Sequence, residues 1–261
     1  MLTKKDLLNQ IEKLNLPCGK PIIVHTSMKA IGEIDGGAKT LLEALISAVS
    51  EKNGLLCVPT HTWDTLVMDL GNPTSCIGAL PTVASAHPLG VRSMHPTHSI
   101  TVFGDNERAV KFVENEANVD TPTSPEGSYG NIIKENGYAL LIGVDQRKNT
   151  IIHCIEEMLG VKNRLTEEKI EATIIHKNGD IEKRLLHWFD DAASSDVSLN
   201  FGKFEPAFRH YGCIEDGLIG NAKTQLCDIG KMKQVMEKIY ENAGETELLS
   251  DDLPLDKNLY I

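Results

Sequence analysis

The sequence lacks the features that mark membrane, disulfide-bonded and nucleic-acid-binding proteins. None of its apolar runs is long enough to span a bilayer. Its six cysteines contain no C-x-x-C pair, so we expect neither a zinc site built on them nor a disulfide framework. A net charge of -11 provides no basic surface for nucleic acid. The N-terminal segment is amphipathic and unlike a signal peptide, so we expect a cytoplasmic protein without a membrane partner.

The common nucleotide-binding fingerprints, G-x-G-x-x-G and G-x-x-x-x-G-K, are also absent. What remains is an ordinary globular composition, with 41% hydrophobic and 24% charged residues in a chain of 261. No linker, repeat or low-complexity tract divides this length. We therefore predict a single domain over 1–261, which ends in a loosely ordered acidic tail at about 244–261.

The first sixty residues predict a βαβ unit. Apolar runs at 21–24 and 55–58 are typical of buried strands, and apolar residues at helical spacing occupy 38–52 between them. Farther on, Asn178-Gly179 separates two apolar segments and predicts an antiparallel hairpin at about 170–188. The expected fold class is α/β, with a central, largely parallel sheet flanked by helices in an α/β/α arrangement.

The βαβ loop contains polar and glycine residues at the places where ligands often bind. Thr26 and Ser27 leave the first strand, and Gly36-Gly37 opens the following helix. Glycines allow a ligand to approach the backbone, and the N–H groups of a helix start attract phosphate. Taken alone, the same two glycines fit a simple tight entry into the helix better than a ligand site.

A second candidate site lies in the stretch from 138 to 157. It predicts a buried strand, a polar turn, and a helix that begins near Asn149 or Thr150. His153 then lies in the first helical turn, where the helix dipole favours a neutral imidazole. Glu156 follows three residues later on the same face, where a carboxylate can orient the ring. This pattern also fits a buried histidine in an ordinary amphipathic helix.

The loop after the second strand has the composition of a cation-binding entrance. Trp63, Asp64 and Asp69 lie in a polar, aromatic segment that follows the predicted end of a strand, where the sites of α/β proteins gather. Together with the acidic net charge, this segment predicts that a small cationic amine enters past these three residues.

Several segments, taken in order, resemble the aminoglycoside 3-N-acetyltransferase family, which is distinct from the GNAT acetyltransferases. The resemblance covers roughly 20–160 well and rests on the segments 24–28, 31–32, 36–38, 58–60, 95–99, 124–125, 141–144 and 149–156. It continues more loosely through 217–222. One departure is Arg147, which stands where many relatives carry aspartate.

The resemblance implies an α/β enzyme that transfers an acetyl group from acetyl-CoA to an amine of an aminoglycoside or a similar compound. It implies that His153 is the general base and that Glu156 orients it. The residues implied to bind CoA are Thr26, Ser27, Met28, Gly36, Gly37, His95 and Ser99. No metal is implied, and a homo-oligomer is possible.

Two other interpretations stay open at this point. A metal-dependent hydrolase would use His25, His61, His95 or His153, although no H-E-x-x-H spacing supports it. A CoA-binding protein without aminoglycoside activity would keep the cosubstrate site and lack the acceptor site.

Overall fold

The computed structural model describes residues 1–162, 164–189, 197–243 and 253–261. The α-helices of these residues are α1 Lys4–Glu12, α2 Met28–Ile31, α3 Gly37–Glu51, α4 Ala79–Ser85, α5 Asn106–Val113, α6 Ser128–Lys134, α7 Ile151–Met158, α8 Glu205–His210 and α9 Ile229–Ala243. The strands are β1 Pro21–Thr26, β2 Leu55–Pro59, β3 Val67–Asp69, β4 Val91–Arg92, β5 Ile100–Phe103, β6 Tyr138–Ile142, β7 Ile170–Ile175, β8 Ile181–Leu186, β9 Ile214–Ile219 and β10 Ala222–Asp228.

Seven strands form the main sheet in the order β4-β5-β2-β1-β6-β10-β9. Its centre is parallel, because β1 pairs in parallel with β2 on one side and with β6 on the other. The outer pairs are antiparallel on both sides. The predicted βαβ unit is therefore confirmed, and the parallel character is confined to the three middle strands.

Helices cover both faces of this sheet, which confirms the α/β/α class. On one face Ile22 and Val24 of β1 pack with α1, α3 and α4. On the other face Ile23 packs with α5, α6, α7 and α9. This alternation follows from the period of two along a strand, and it buries β1 completely on both sides.

A smaller sheet of order β3-β7-β8 lies beside the main one. Its β7–β8 pair is the antiparallel hairpin predicted from Asn178-Gly179, and Gly179 has the positive φ of 90° that such a turn requires. The guanidinium of Arg184 on β8 donates to the backbone oxygens of Met94, Glu116 and Val119 and so joins this sheet to the main body. The next strand, β9, belongs to the main sheet.

Two segments differ from the sequence-based predictions. Helix α6 begins at Ser128, although Pro125 and the nearby glycines favour a loop there. Within the predicted tail, 244–252 lies outside the described residues. Its end, however, is packed: Tyr260 is buried against the core, and Lys238 donates to its backbone oxygen. In the described parts of the chain, no helix has the length and hydropathy needed to cross a membrane.

Candidate active site

A cavity of about 820 Å³ opens at the carboxyl ends of the central parallel strands. Such edges are where ligands bind in open α/β sheets, because the loops that follow adjacent strands diverge there. Residues from several segments line the cavity, and those used below are His25, Thr26, His61, Trp63, His98, Arg147, Lys148, Asn149, His153, Trp188 and Phe189.

His153 is brought to this cavity by α7. It is the third residue of that helix and so lies in the first helical turn, as the sequence predicts. Its ring stacks on Phe189 with centroids 4.2 Å apart and meets the edge of Phe201 at 4.7 Å. The two aromatic rings fix the plane of the imidazole while one edge remains at the cavity wall.

Glu156 does not hold this ring, and the predicted contact is wrong. The carboxylate is 1% exposed, and its Oε1 accepts from the Tyr240 hydroxyl at 2.7 Å and from Arg164 Nε at 3.4 Å. Its Oε2 has no hydrogen-bond partner among the described residues. Burial raises the pKa of Glu156 to about 7, against the opposing effects of Arg164 and Tyr240. Helical spacing placed Glu156 one turn from His153, but partners from distant segments direct its carboxylate elsewhere.

Three further histidines line the cavity with His153. His25 is the last but one residue of β1, His61 follows β2, and His98 precedes β5, so the sheet brings together residues far apart in the chain. His61 Nε2 lies 2.7 Å from the hydroxyl of buried Tyr129. Burial lowers the pKa of His25 to about 4 and that of His61 to about 3. Both imidazoles are therefore neutral at pH 7, so they offer hydrogen-bonding atoms to the cavity and no positive charge.

His95 and Ser99, which are predicted to bind CoA, form hydrogen bonds to protein groups in this fold. His95 is fully buried; its Nδ1 accepts from the backbone N–H of His98 at 3.0 Å, and its Nε2 lies 3.1 Å from Thr121 O. The Ser99 hydroxyl donates to Thr60 O and accepts from Arg92 Nε. Their polar atoms are already occupied by protein groups, and neither residue lines the cavity.

The residues predicted from the βαβ loop divide between the cavity and the scaffold. Thr26 lines the cavity. Ser27 caps α2 by accepting from Ala30 N, and Met28 packs against the core. Gly36 and Gly37 do not line the cavity, and their φ values of 77° and 61° identify them as a left-handed entry into α3. A Cβ on Gly36 would also lie 2.3 Å from Thr40 Oγ1, so a bulky residue there would disturb the fold itself.

Only part of the predicted entrance adjoins the cavity. Trp63 lines it and is 43% exposed, and the neighbouring Asp64 is an exposed carboxylate. Asp69 lies on β3, where its Oδ1 accepts from the backbone N–H groups of Gly71 and Asn72. Asp69 therefore shapes a turn of the smaller sheet and does not line the cavity.

The fixed positive charge of the cavity comes from two neighbours that the sequence reasoning did not assign to it. Arg147 and Lys148 lie in the 3₁₀ turn that precedes α7. Arg147 forms a bidentate pair with Asp145, and its Nη2 lies 2.6 Å from Oδ2. Within the described ranges, no group of three or more histidine, cysteine or acidic side chains is arranged to hold a metal ion.

The fold matches solved acetyltransferases along almost its whole length. A variant of the aminoglycoside acetyltransferase AAC(3)-IVa in complex with gentamicin superposes with a TM-score of 0.76 at 20% identity, covering 93% of this chain and 89% of that one. The enzyme AAC-IIIb bound to CoASH superposes with a TM-score of 0.72 at 21% identity, covering 89% and 93%. These similarities concern the fold.

Sequence comparison agrees. Aminoglycoside N(3)-acetyltransferase IX of Micromonospora chalcea is 24% identical, over 88% of this chain and 90% of its own. The aminoglycoside N(3')-acetyltransferase-like protein YokD of Bacillus subtilis is 24% identical over 59% of this chain, and the match spans 64% of its length. A profile of the family described as aminoglycoside 3-N-acetyltransferase matches residues 23–241. Since that match spans most of the chain, this protein belongs to the aminoglycoside 3-N-acetyltransferase family of acetyl-CoA-dependent acyltransferases.

Proposed function

We propose that the protein transfers the acetyl group of acetyl-CoA to an amino group of an aminoglycoside or a similar amine, and that His153 is the general base. The observation that carries this proposal is the position of His153, which α7 and two aromatic rings hold at the wall of the large cavity. The gentamicin and CoASH complexes of the two structural neighbours support both substrates.

The reaction that this geometry supports is direct transfer. An amine is mostly protonated at neutral pH and must lose a proton before its nitrogen can attack. Once the ammonium has given that proton to water, the neutral nitrogen bonds to the thioester carbonyl carbon while His153 accepts a second proton from it, and the carbon–sulfur bond then breaks to release CoA thiolate. Of the cavity residues, Thr26 is suited to the polar groups of CoA, and the cationic Arg147 and Lys148 are suited to its phosphate groups.

A covalent route through Cys154 has no support in the structure. This thiol follows His153 in sequence but is fully buried in the core, and its burial raises its pKa well above the usual value. A thiol that neither reaches the cavity nor ionises does not act as an acetyl carrier.

The test is the release of free thiol from acetyl-CoA by the wild-type protein with a panel that includes gentamicin, sisomicin, apramycin and simple diamines. We expect amine-dependent thiol release and one acetyl group on each product molecule by mass spectrometry. Added chelator should leave the rate unchanged. Tight CoA binding by calorimetry without any amine-dependent release would favour the alternative of a CoA-binding protein.

A further inference from the structure

Three side-chain amides and one carboxylate form a hydrogen-bonded chain that ends at the cavity. Glu205 Oε1 accepts from Gln225 Nε2, Gln225 Oε1 accepts from Gln146 Nε2, and Gln146 Oε1 accepts from Asn149 Nδ2, each at 2.9 Å. Asn149 lines the cavity and is 1% exposed. Its Oδ1 is buried and finds no hydrogen-bond partner in the described part of the chain. We call these four residues the amide chain.

The carboxylate at one end determines the direction of every bond in the amide chain. The oxygen and nitrogen of an amide are distinguished by their partners, and a carboxylate can only accept. Glu205 therefore accepts from the amide nitrogen of Gln225. Each following amide likewise donates through its nitrogen to the oxygen of the residue before it. Arg209 Nε pairs with the same carboxylate oxygen at 2.9 Å. The nitrogen of Asn149 is consequently directed at Gln146, and its oxygen is the acceptor that remains for a ligand.

The backbone fixes this acceptor relative to His153. The carbonyl of Asn149 accepts from Ile152 N at 3.1 Å, in the first turn of α7, and His153 is the next residue. Both side chains line the same cavity. An unpaired buried oxygen costs free energy, which a donor from a bound molecule would recover. The oxygen therefore indicates a ligand group that carries N–H or O–H and lies beside the proposed base.

We propose that Asn149 is the hydrogen-bond acceptor for the attacking amine, and that Glu205, Gln225 and Gln146 are positioning residues that keep its oxygen available. This inference rests on the proposed function. One proton of the amine goes to His153 while a second is held by Asn149 Oδ1, which aligns the nitrogen lone pair. A hydroxyl group has a single proton and cannot satisfy both residues. The pair thus selects amino groups over hydroxyl groups of the same substrate.

The test compares three variants with the wild-type protein, using sisomicin as the amine. Asn149→Leu keeps the volume and removes the acceptor, and we expect KM and the calorimetric Kd for sisomicin to rise roughly 10- to 100-fold. The Kd for CoA should stay within about twofold. Glu205→Gln replaces the carboxylate with an amide that can also donate, so the direction of the amide chain is no longer fixed. This variant should raise the KM and Kd for sisomicin several-fold. The matched control, Arg209→Met, removes the ion pair between Arg209 and Glu205 but keeps the carboxylate and the three amides. It should leave the KM and Kd for sisomicin unchanged.

Each result decides the matter. Wild-type sisomicin affinity in folded Asn149→Leu would overturn the inference and leave the proposed function intact. A wild-type protein that neither binds nor acetylates any amine of the panel would overturn both. An Arg209→Met variant as impaired as Glu205→Gln would overturn the positioning role. If Asn149→Leu does not fold, the comparison of Glu205→Gln with Arg209→Met decides, because both of these side chains are partly exposed.

Discussion

At the scale of single residues, the proposed function places the proton transfer on His153. Replacing it with alanine should lower kcat by roughly 10²–10⁴-fold, the usual contribution of a general base, with little change in CoA affinity. The exposed His176, which pairs with Glu182 on the hairpin, offers a matched control as His176→Ala. Steady-state rates within a few-fold of wild type in His153→Ala would make His153 a structural residue.

The pH profile tests the same residue independently. Since the base must be neutral, wild-type kcat/KM should fall as the pH is lowered. With pKa values of about 4 and 3, His25 and His61 do not ionise near neutrality and do not contribute to this limb. The amine itself gives a limb of the same sign, so the profile is repeated in His153→Ala with the same amine. If the acidic limb is unchanged in the variant, ionisation of the amine alone accounts for the limb.

Glu156 gives a prediction for stability. Burial raises its folded pKa from 4.5 to about 7, so between these values the folded protein binds more protons than the unfolded chain. The free energy of unfolding should therefore fall as the pH rises from 5 to 8, by on the order of 3 kcal/mol from this group. Glu156→Gln cannot ionise and should lack this part of the slope. Urea unfolding at each pH measures the difference, and parallel curves for the two proteins would contradict it.

At the scale of elements, Arg184 links the smaller sheet to the cavity. Trp188 and Phe189 follow β8 and line the cavity, so loosening β8 should disturb them. Arg184→Met should cost about 2 kcal/mol of stability, speed hydrogen exchange in β7 and β8, and raise the KM for the amine. The control is Lys183→Met on the same strand, whose partners Glu171 and Thr173 lie on the exposed face. Equal effects of both variants would rule out the link.

Local sequence signals predicted the elements better than the contacts between them. The Asn178-Gly179 turn and the apolar runs of β1 and β2 depend on neighbouring residues, and all appear as expected. Strand β9 contains Gly217 and two acidic residues, and it lacks the alternation of a half-buried strand. Its pairing with β10 defines it, and the sequence does not display that pairing.

The site shows the same division. His153 and Thr26 could be placed at the cavity because each follows directly from the end or start of an element. The family resemblance implied that His95 and Ser99 bind CoA, but Thr121 and Thr60 supply hydrogen-bond partners for them from elsewhere in the chain. Which protein group satisfies a buried polar atom depends on tertiary contacts, and spacing along the sequence does not determine it.

At the scale of the whole molecule, the net charge of -11 should attract a cationic amine. Asp64→Asn and Asp69→Asn remove the same charge, but only Asp64 adjoins the cavity-lining Trp63. We expect Asp64→Asn to raise the amine KM more than Asp69→Asn, with a difference that shrinks as salt is added. Initial rates at about 20 and 200 mM salt measure this. Equal KM values for the two variants would place the entrance elsewhere.

The parallel centre of the sheet also constrains the order in which the protein forms. Strand β1 lies between β2 and β6, and Val24 of β1 is paired with Leu140 of β6. During synthesis β1 therefore waits, with one edge unpaired, until more than half of the chain has left the ribosome. Such distant pairings give a high contact order and slow folding. His153 follows β6 and can join the other histidines of the cavity only after that closure, so the nascent chain completes this site late.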